Sequence, residues 1–337
     1  MSPDRLVIIT AKGASLGVVA EDIKYVAEKN NIDAEIIKGL PPITHVGRNF
    51  DRAVMFVPFD PHYVLSYTAY YHSLRRYYFP VKFYTTIEGV PDKYLVPEWM
   101  GRVLRPIANS RFTESCLRAA GLNVADVIPH GLNLELFASI NRQKDLGRDH
   151  VLFGTIGFNH PRKGLSLLKQ IVEACERKAP QARFIVVSTP DGNSMFENHR
   201  NVMATYPFGE LPRTEILGLI AKLDFYLLTS MAEGFGLPVL EAQALGTPCI
   251  HASYDPINEI SHRDNLRARV VRVELQKFYE GLHNMMHYYD VDEMIELVSY
   301  ACDLKLNRKD EYLDLSRRVM EFALQFDALK LYKPLVM

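Results

Sequence analysis

Short apolar runs alternate with segments of helical periodicity through the N-terminal part of the chain. The clearest runs have four or five residues and are bounded by polar or turn-forming positions, which is typical of buried strands. The predicted strands are residues 6–10, 34–37, 53–57 and 81–85, with shorter candidates at 107–109 and 126–128. Apolar spacing predicts helices over 18–28 and 63–78. This alternation indicates a parallel sheet with helices on both faces.

The same alternation restarts after residue 150. The predicted strands are 151–156, 183–188, 225–229 and 248–252, and the predicted helices are 165–177, 213–223 and 239–245. A second Rossmann-like sheet follows from this order. From about Leu275 onward, the pattern predicts helices only.

The polar, charged segment 141–150 has the composition of an interdomain linker. We therefore predict an N-terminal domain over residues 1–143, a C-terminal domain over 150–320, and a terminal helix within 321–337. Two α/β domains in this order predict a cleft between the carboxyl ends of their strands, where ligands of such sheets bind.

Composition narrows the function classes. A length of 337 residues suits two domains, and 48% apolar with 23% charged residues is typical of globular proteins. The formal net charge of -1 creates no strong field for nucleic acid, which is not expected as a partner. The four cysteines are far apart and lie among apolar residues, so we expect buried thiols in a reducing compartment and no zinc site.

The N-terminus does not resemble a signal peptide, because its apolar run reaches Lys12 within a few residues. No stretch approaches the roughly 18 apolar residues of a spanning helix. We expect a cytoplasmic protein, and peripheral membrane contact through the N-terminal domain stays open. Residues 63–84 are rich in tyrosine and include Arg75 and Arg76. That composition suits sugar rings, lipid headgroups or an ordinary half-buried helix.

The strongest local signal for chemistry lies in residues 230–250. A predicted strand enters a loop with Gly234 and Gly236, and Pro238 stands at the start of a predicted helix. The first turn of such a helix presents unpaired N–H groups, which form an anion site suited to a diphosphate. Glu233 and Glu241 flank that site. A phosphate would repel both carboxylates, so we expect them to bind sugar or ribose hydroxyls; favourable acidic residues at a helix start are the structural alternative.

This segment resembles the retaining GT-B glycosyltransferases of glycosyltransferase family four, the glycosyl transferases group 1. Their signature is two glutamates, separated by seven residues, around a Gly-Phe-Gly-Leu-Pro loop. The matching positions are Glu233, Gly234, Phe235, Gly236, Leu237, Pro238 and Glu241. The resemblance implies that Glu241 holds the ribose of the donor nucleotide and that Glu233 lies by the donor sugar. It also implies that the helix within 321–337 crosses back to the N-terminal domain.

A second resemblance covers Gly157–Gly164, which follows the first strand of the C-terminal domain. In the family this loop supplies cations to the donor diphosphate, which implies that role for Lys163. Relatives often carry an arginine directly after the first glycine, where this chain has Phe158. Arg162 is the candidate substitute, because a guanidinium pairs bidentately with phosphate.

The resemblance is weaker elsewhere. Glu259 matches a family glutamate close to the donor, and His130 replaces an asparagine in the segment that closes the N-terminal domain. Gly13 and Gly17 take the place of a glycine-rich loop on the acceptor side, although two glycines after a strand also make an ordinary turn. Glu88 stands where many relatives have an acceptor-facing histidine; it is either a ligand of an acceptor hydroxyl or a surface residue.

The resemblance implies retaining transfer of a sugar from a nucleotide diphosphate sugar, of the UDP or GDP type, to a hydroxyl of a glycan, lipid or protein-linked acceptor. No cofactor and no metal are expected, because Lys163, Arg162 and the helix start would neutralise the diphosphate. Two alternatives stay open. They are a nucleotide-sugar epimerase on the same fold and a sugar-nucleotide binding protein without catalysis.

Overall fold

A computed structural model describes residues 4–142 and 144–337. Contacts divide the chain into two compact units. Unit 1 comprises Met1–Leu134, Leu275–Met285 and Phe326–Met337, and unit 2 comprises Glu135–Glu274 and Met286–Gln325. Within the described residues, no helix combines the length and the apolar character that crossing a membrane requires.

The strands of the described chain are numbered in chain order. They are β1 (Arg5–Thr10), β2 (Asp33–Lys38), β3 (Arg52–Pro58), β4 (Val81–Thr86), β5 (Gly89–Pro91), β6 (Pro106–Ala108), β7 (Asp126–Val127), β8 (Val151–Ile156), β9 (Ala182–Ser188), β10 (Val202–Pro207), β11 (Phe225–Leu228), β12 (Cys249–Ala252), β13 (Leu266–Ala268), β14 (Val270–Tyr279) and β15 (Leu282–Tyr289).

The helices are numbered in the same way. They are α1 (Ala14–Lys29), α2 (Ile43–Asn49), α3 (Val64–Arg76), α4 (Glu98–Val103), α5 (Arg111–Ala119), α6 (Leu134–Ser139), α7 (Leu165–Lys178), α8 (Pro190–Ser194), α9 (Arg213–Lys222), α10 (Leu237–Ala244), α11 (Ile257–Ile260), α12 (Val291–Asn307), α13 (Lys309–Ala323), α14 (Ala328–Leu331) and α15 (Lys333–Val336). Single 3-10 turns occupy Pro161–Lys163 and Leu324–Phe326.

Unit 1 contains a parallel sheet of six strands in the order β2-β1-β3-β4-β6-β7. Its central strands are apolar on both faces, and Leu6 to Ile9 are fully buried. Burial on both faces explains why these strands are continuous apolar runs rather than alternating patterns.

The C-terminal segment of unit 1 forms two short helices, α14 and α15, that pack against α1. The segment is anchored by a hydrogen bond from the Leu132 amide to the Phe326 carbonyl (2.7 Å). A Cβ on Gly131 would lie 2.5 Å from the Cα of Ala328, so only glycine permits this approach. The segment thus packs on the N-terminal unit as the resemblance implied, although as two helices rather than one.

Unit 2 contains a second parallel sheet of six strands, in the order β10-β9-β8-β11-β12-β13. The strand order reverses between β8 and β11, and ligands of doubly wound sheets bind at such a switch point. Phe153, Phe184 and Phe225 stack across the sheet, with ring centroids 5.5 and 5.8 Å apart. The four cysteines are all buried free thiols, as the sequence predicts.

The prediction of helices only after Leu275 was wrong. Residues 270–289 form a hairpin of β14 and β15, and Gly281 turns it with φ 90. The signal was present in the sequence, since apolar and charged residues alternate from Val271 to Leu275 with the period of a strand. The chain passes from unit 2 to unit 1 within β14.

Candidate functional site

The loop after β11 is fixed by hydrogen bonds to three consecutive carbonyls. The ring of Tyr254 stacks on that of His287, with centroids 4.3 Å apart, and both residues donate to the loop. The donors are the Tyr289 hydroxyl to Thr229 (3.0 Å), the Tyr254 hydroxyl to Ser230 (2.8 Å) and the His287 amide to Met231 (2.8 Å). The backbone that leads to Glu233 is therefore held in place, which limits its motion when a ligand binds.

The loop continues through buried Gly234 and Phe235 into helix α10. Gly236 has φ 90, and a Cβ there would lie 2.2 Å from Cδ1 of Ile257. Glycine is thus required for the turn into the helix. The helix begins at Leu237, two residues before the predicted start, with Pro238 in its first turn. Its amino end lies on the carboxyl side of β11, next to the switch point.

Glu233 and Lys163 form a close ion pair, with 2.5 Å between Nζ and Oε1. Both side chains are largely buried, at 9% and 15% exposed. Burial alone would raise the pKa of Glu233, but the charges of Lys163 and Arg162 outweigh it and lower that pKa. Glu233 is therefore an ionised carboxylate at neutral pH. The fold thus brings together two candidate site residues that are 70 positions apart in sequence.

Arg162 lies on the other side of Glu233, with 3.9 Å between Nη1 and Oε2. Its guanidinium carbon is 5.1 Å from the ring centroid of Phe158. The phenylalanine that departs from the family pattern is thus an aromatic support for Arg162. His160 caps this turn, and burial lowers its pKa to about 4, so its ring is neutral at pH 7.

Glu241 is buried one turn into α10, where Arg213 lies 3.5 Å from its Oε1. Arg213 is the first residue of α9, and its guanidinium lies 5.9 Å from the ring of Phe137. Arg213 was not among the predicted site residues, because nothing in its local pattern distinguishes it from other charged residues at a helix start. Each of the two signature glutamates therefore has an arginine or lysine partner.

Gly157 directly follows strand β8, and Glu259 belongs to the short helix α11. The Gly157 carbonyl accepts a hydrogen bond from the Ser188 hydroxyl (2.7 Å), and a Cβ at Gly157 would lie 3.7 Å from the Lys163 side chain. Glu259 is half-buried on the short helix α11. The buried side chain of Gln243 donates to the Ile260 carbonyl (2.8 Å) and so ties α11 to α10.

In unit 1, Gly13 precedes α1 and Gly17 lies in the first turn of that helix. The helix begins at Ala14, so the loop after β1 is shorter than the sequence predicts. A Cβ at Gly13 would lie 3.2 Å from Leu16, whereas the space around Gly17 is open. Sterics therefore favour glycine at Gly13 and place no such demand on Gly17.

Glu88 is half-buried beyond the carboxyl end of β4, and its carboxylate accepts a hydrogen bond from the side-chain amide of Asn284 (3.4 Å). A second carboxylate, Asp60, follows β3 at the same sheet edge. Burial and the negative charge of Glu88 raise the pKa of Asp60 to about 6. Asp60 was not among the predicted site residues, because its raised pKa depends on burial that no local pattern encodes.

His130 is not brought to the surface of unit 1. It is 4% exposed, and burial lowers its pKa to about 3. Asn109 lies 3.2 Å from its Nε2, and the Tyr84 hydroxyl lies 2.7 Å from its Nδ1. The Tyr84 hydroxyl donates to the Ile128 carbonyl, so His130 carries its proton on Nδ1 and accepts on Nε2. A neutral histidine with both nitrogens occupied is suited to holding the core together.

We predict that Asp60→Asn stabilises the protein at pH 7–8 by on the order of 1 kcal/mol. Unfolded aspartate ionises near pH 4, whereas folded Asp60 ionises at about 6. The folded state therefore holds the proton more tightly, and the stability due to Asp60 is complete below pH 4 and lost as pH rises through 6. Denaturant unfolding of the wild type and the variant between pH 4 and 8 measures the difference. Asp126→Asn, at an exposed aspartate of the same unit, is the control; equal profiles for all three proteins would contradict the prediction.

Among the described residues, no three His, Cys, Asp or Glu side chains are grouped so that they could hold a metal ion.

Residues 138–287 match the family model described as Glycosyl transferases group 1. This range contains Lys163, Glu233 and Glu241. Along almost its whole length, the chain is similar to the uncharacterized glycosyltransferase 335 of Sulfolobus islandicus rod-shaped virus 1. The two are 27% identical over 341 residues, which cover 96% of this chain and 97% of the relative.

Two solved structures share the fold. HepE of Anabaena, in complex with UDP and glucose, is 14% identical with a TM-score of 0.66, covering 98% of each chain. Sucrose-phosphate synthase of Thermosynechococcus elongatus is 13% identical with a TM-score of 0.70, covering 98% of this chain and 97% of that one. The similarity confirms the predicted α/β fold with two Rossmann-like domains.

Proposed function

We propose that this protein is a retaining glycosyltransferase that moves a sugar from a nucleotide diphosphate sugar to an acceptor hydroxyl. The observation that carries the proposal is the cluster at the switch point of unit 2. There Lys163 and Arg162 lie against Glu233, beside the amino end of α10. The similarity of residues 138–287 to glycosyl transferases group 1 supports sugar transfer as the reaction class.

In this proposal the donor diphosphate binds to Lys163, Arg162 and the N–H groups of the first turn of α10. Lys163 is then shared between Glu233 and the diphosphate. Glu241, oriented by Arg213, accepts hydrogen bonds from the ribose hydroxyls, and Glu233 accepts them from the donor sugar. A UDP-sugar is the first donor to test, because the HepE structure of the same fold contains UDP and glucose; a GDP-sugar is the second.

The proposed reaction breaks the bond between the anomeric carbon and the diphosphate oxygen, and the electron pair leaves with the nucleotide diphosphate. The acceptor oxygen forms its new bond on the same face of the sugar, and its hydroxyl proton passes to a phosphate oxygen of the leaving group. Lys163 and Arg162 stabilise the negative charge that develops on the diphosphate. Fixed charges are effective here because they need no reorganisation during the reaction.

On the acceptor side, we propose that Glu88 accepts a hydrogen bond from the reacting molecule. Its side chain is half-buried at the carboxyl edge of the unit 1 sheet, and Gly13 stands at the same edge after β1. Asp60 contributes a second carboxylate in this region. Carboxylates at this edge favour a polyhydroxyl acceptor, whether glycan, lipid-linked or protein-linked.

The test is a thermal-shift panel of UDP, GDP, ADP and their sugar conjugates on wild type, Glu241→Ala and Glu215→Ala. Glu215 is an exposed glutamate of α9 and serves as the control. A ligand at about 100 times its Kd adds about 2.7 kcal/mol, which corresponds to roughly 5–10 °C for a domain of this size. We expect one nucleotide class to give this shift in wild type and Glu215→Ala, and no shift in Glu241→Ala.

Product analysis separates the transferase from the two alternatives. Nucleotide release that requires an acceptor indicates a transferase, whereas an epimerase forms a new sugar nucleotide without release and a binding protein forms no product. A wild-type protein whose stability does not change with any nucleotide would contradict the proposed donor site.

A further inference from the structure

Strand β14 is exposed along most of its ten residues. It is the outer strand of the sheet β14-β15-β5, and no other strand of the described chain pairs with its outer edge. Val271, Val273 and Leu275 are 56%, 52% and 55% exposed. A long edge strand with apolar side chains is a template for pairing with another strand, because its outer backbone groups face water.

The two faces of β14 differ in chemistry. Successive side chains of a strand point to opposite faces, so Val271, Val273 and Leu275 share one face. Arg272 and Glu274 share the other, with 3.2 Å between Nε and Oε1. The guanidinium of Arg272 lies 4.5 Å from the ring centroid of Tyr288 on the neighbouring strand, which orients it on that face.

We propose that β14 pairs antiparallel with β14 of a second copy of this chain, about a two-fold axis at Val273. Val273 then lies opposite its own equivalent, and Val271 lies opposite Leu275 of the other copy. On the second face, Arg272 lies opposite Glu274 of the other copy. One face of the paired strands thus carries six apolar side chains, three from each copy. On the opposite face, each positive side chain lies opposite a negative one. Isologous pairing of this kind needs a self-complementary patch, and β14 provides one.

Charge distinguishes this register from its neighbours. An axis at Arg272 would place two arginines opposite each other, and an axis at Glu274 would do the same with two glutamates; like charges directly opposite are destabilising. An axis at Leu275 would place Val273 opposite Lys277. The pairing extends from Val270 to Gln276, because beyond that point Lys277 would meet Arg269 of the other copy.

The charges on β14 indicate which strand can pair with its outer edge. Charged side chains on an edge strand normally oppose pairing between identical chains, because the same charges meet. In β14 the charges alternate in sign about an apolar centre, so an identical strand is its complement. The pairing would join two three-stranded sheets into one of six strands across the dimer.

A disulfide experiment tests the register. The four native cysteines are buried, so a cysteine introduced on β14 is the one accessible thiol among the described residues. We expect Val273→Cys to form a disulfide-linked dimer under mild oxidation. Val271→Cys alone should remain unlinked, but should form a linked heterodimer when mixed with Leu275→Cys. Equal linking of Val271→Cys and Val273→Cys would overturn the register.

Charge reversal tests the interface in solution. Sedimentation velocity should show a wild-type dimer that Arg272→Glu and Glu274→Arg each weaken by on the order of 10-fold. An equimolar mixture of the two variants should recover the dimer, because each mixed pair restores both opposite-charge contacts between copies. The ion pair within each chain is broken in both variants, so its loss cannot account for recovery. A wild-type chain that is monomeric at all concentrations, or a mixture that stays monomeric, would overturn the proposal.

Discussion

Replacing Lys163 with methionine is expected to lower kcat about 100-fold, because the leaving diphosphate loses its main fixed positive charge. Methionine retains the length of the side chain, so packing is largely preserved. The carboxylate of Glu233 also loses its closest partner, at 2.5 Å. Arg162 remains beside Glu233, but with one cation fewer the pKa of Glu233 is expected to rise relative to that in the wild type. Steady-state release of nucleotide, with donor and acceptor at saturation, measures kcat.

Lys169→Met is the matched control. Lys169 lies on α7, six residues after Lys163, and its partially exposed side chain is 3.9 Å from Glu173. Its replacement should leave kcat unchanged. Wild-type turnover in a folded Lys163→Met protein would remove Lys163 from the proposed mechanism.

Gly164→Ala is expected to destabilise unit 2 by about 3 kcal/mol or more and to displace Lys163. Gly164 has φ 66, and an added Cβ would lie 2.2 Å from the carbonyl oxygen of Thr229. A backbone carbonyl cannot move aside as a flexible side chain can. Thr229 is itself held by the Tyr289 hydroxyl, so the clash would separate the turn that carries Lys163 from the loop that carries Glu233.

Thermal unfolding measures this effect, with an expected loss of roughly 6–12 °C in the transition of unit 2. Gly218→Ala is the control, because Gly218 lies in α9 with nothing within 4 Å of its added Cβ. Alanine there should be neutral or slightly stabilising, since it is a better helix former. A Gly164→Ala protein as stable as the wild type would show that the contact with Thr229 relaxes without cost.

Elements whose conformation is restricted by their own residues could be predicted from the sequence. The strand, loop and helix around Glu233 were predicted because apolar runs, glycines and Pro238 each restrict the backbone locally. The parallel sheets were predicted for the same reason, and the comparisons confirmed that fold. The prediction failed after Leu275, where helices were expected and the chain forms the end of β14 and the whole of β15. Strands β5, β10 and β13 were not predicted either.

Long-range partners were harder to predict. Arg213 contacts Glu241 only because α9 and α10 pack together, and no spacing between residues 213 and 241 encodes that. The raised pKa of Asp60 likewise depends on its burial and on the nearby charge of Glu88, neither of which the local sequence encodes. The burial of His130 was not predicted, because a histidine in an apolar segment can face either a ligand or the core. Here Tyr84 and Asn109 contact its two ring nitrogens and hold it in the core.

The assembly of unit 1 from three separate stretches of chain has a consequence for synthesis. Residues 4–134 are synthesised before unit 2, but α14 and α15, which pack on α1, are synthesised after it. Tyr332 in that final segment is fully buried, and its hydroxyl lies 3.3 Å from Nδ1 of His130. The last stretch of unit 2 ends at Gln325, directly before the segment that contains Tyr332. Synthesis of unit 1 therefore starts before that of unit 2, but the core of unit 1 closes only after unit 2 has been made, and until then that core is exposed to chaperones and proteases.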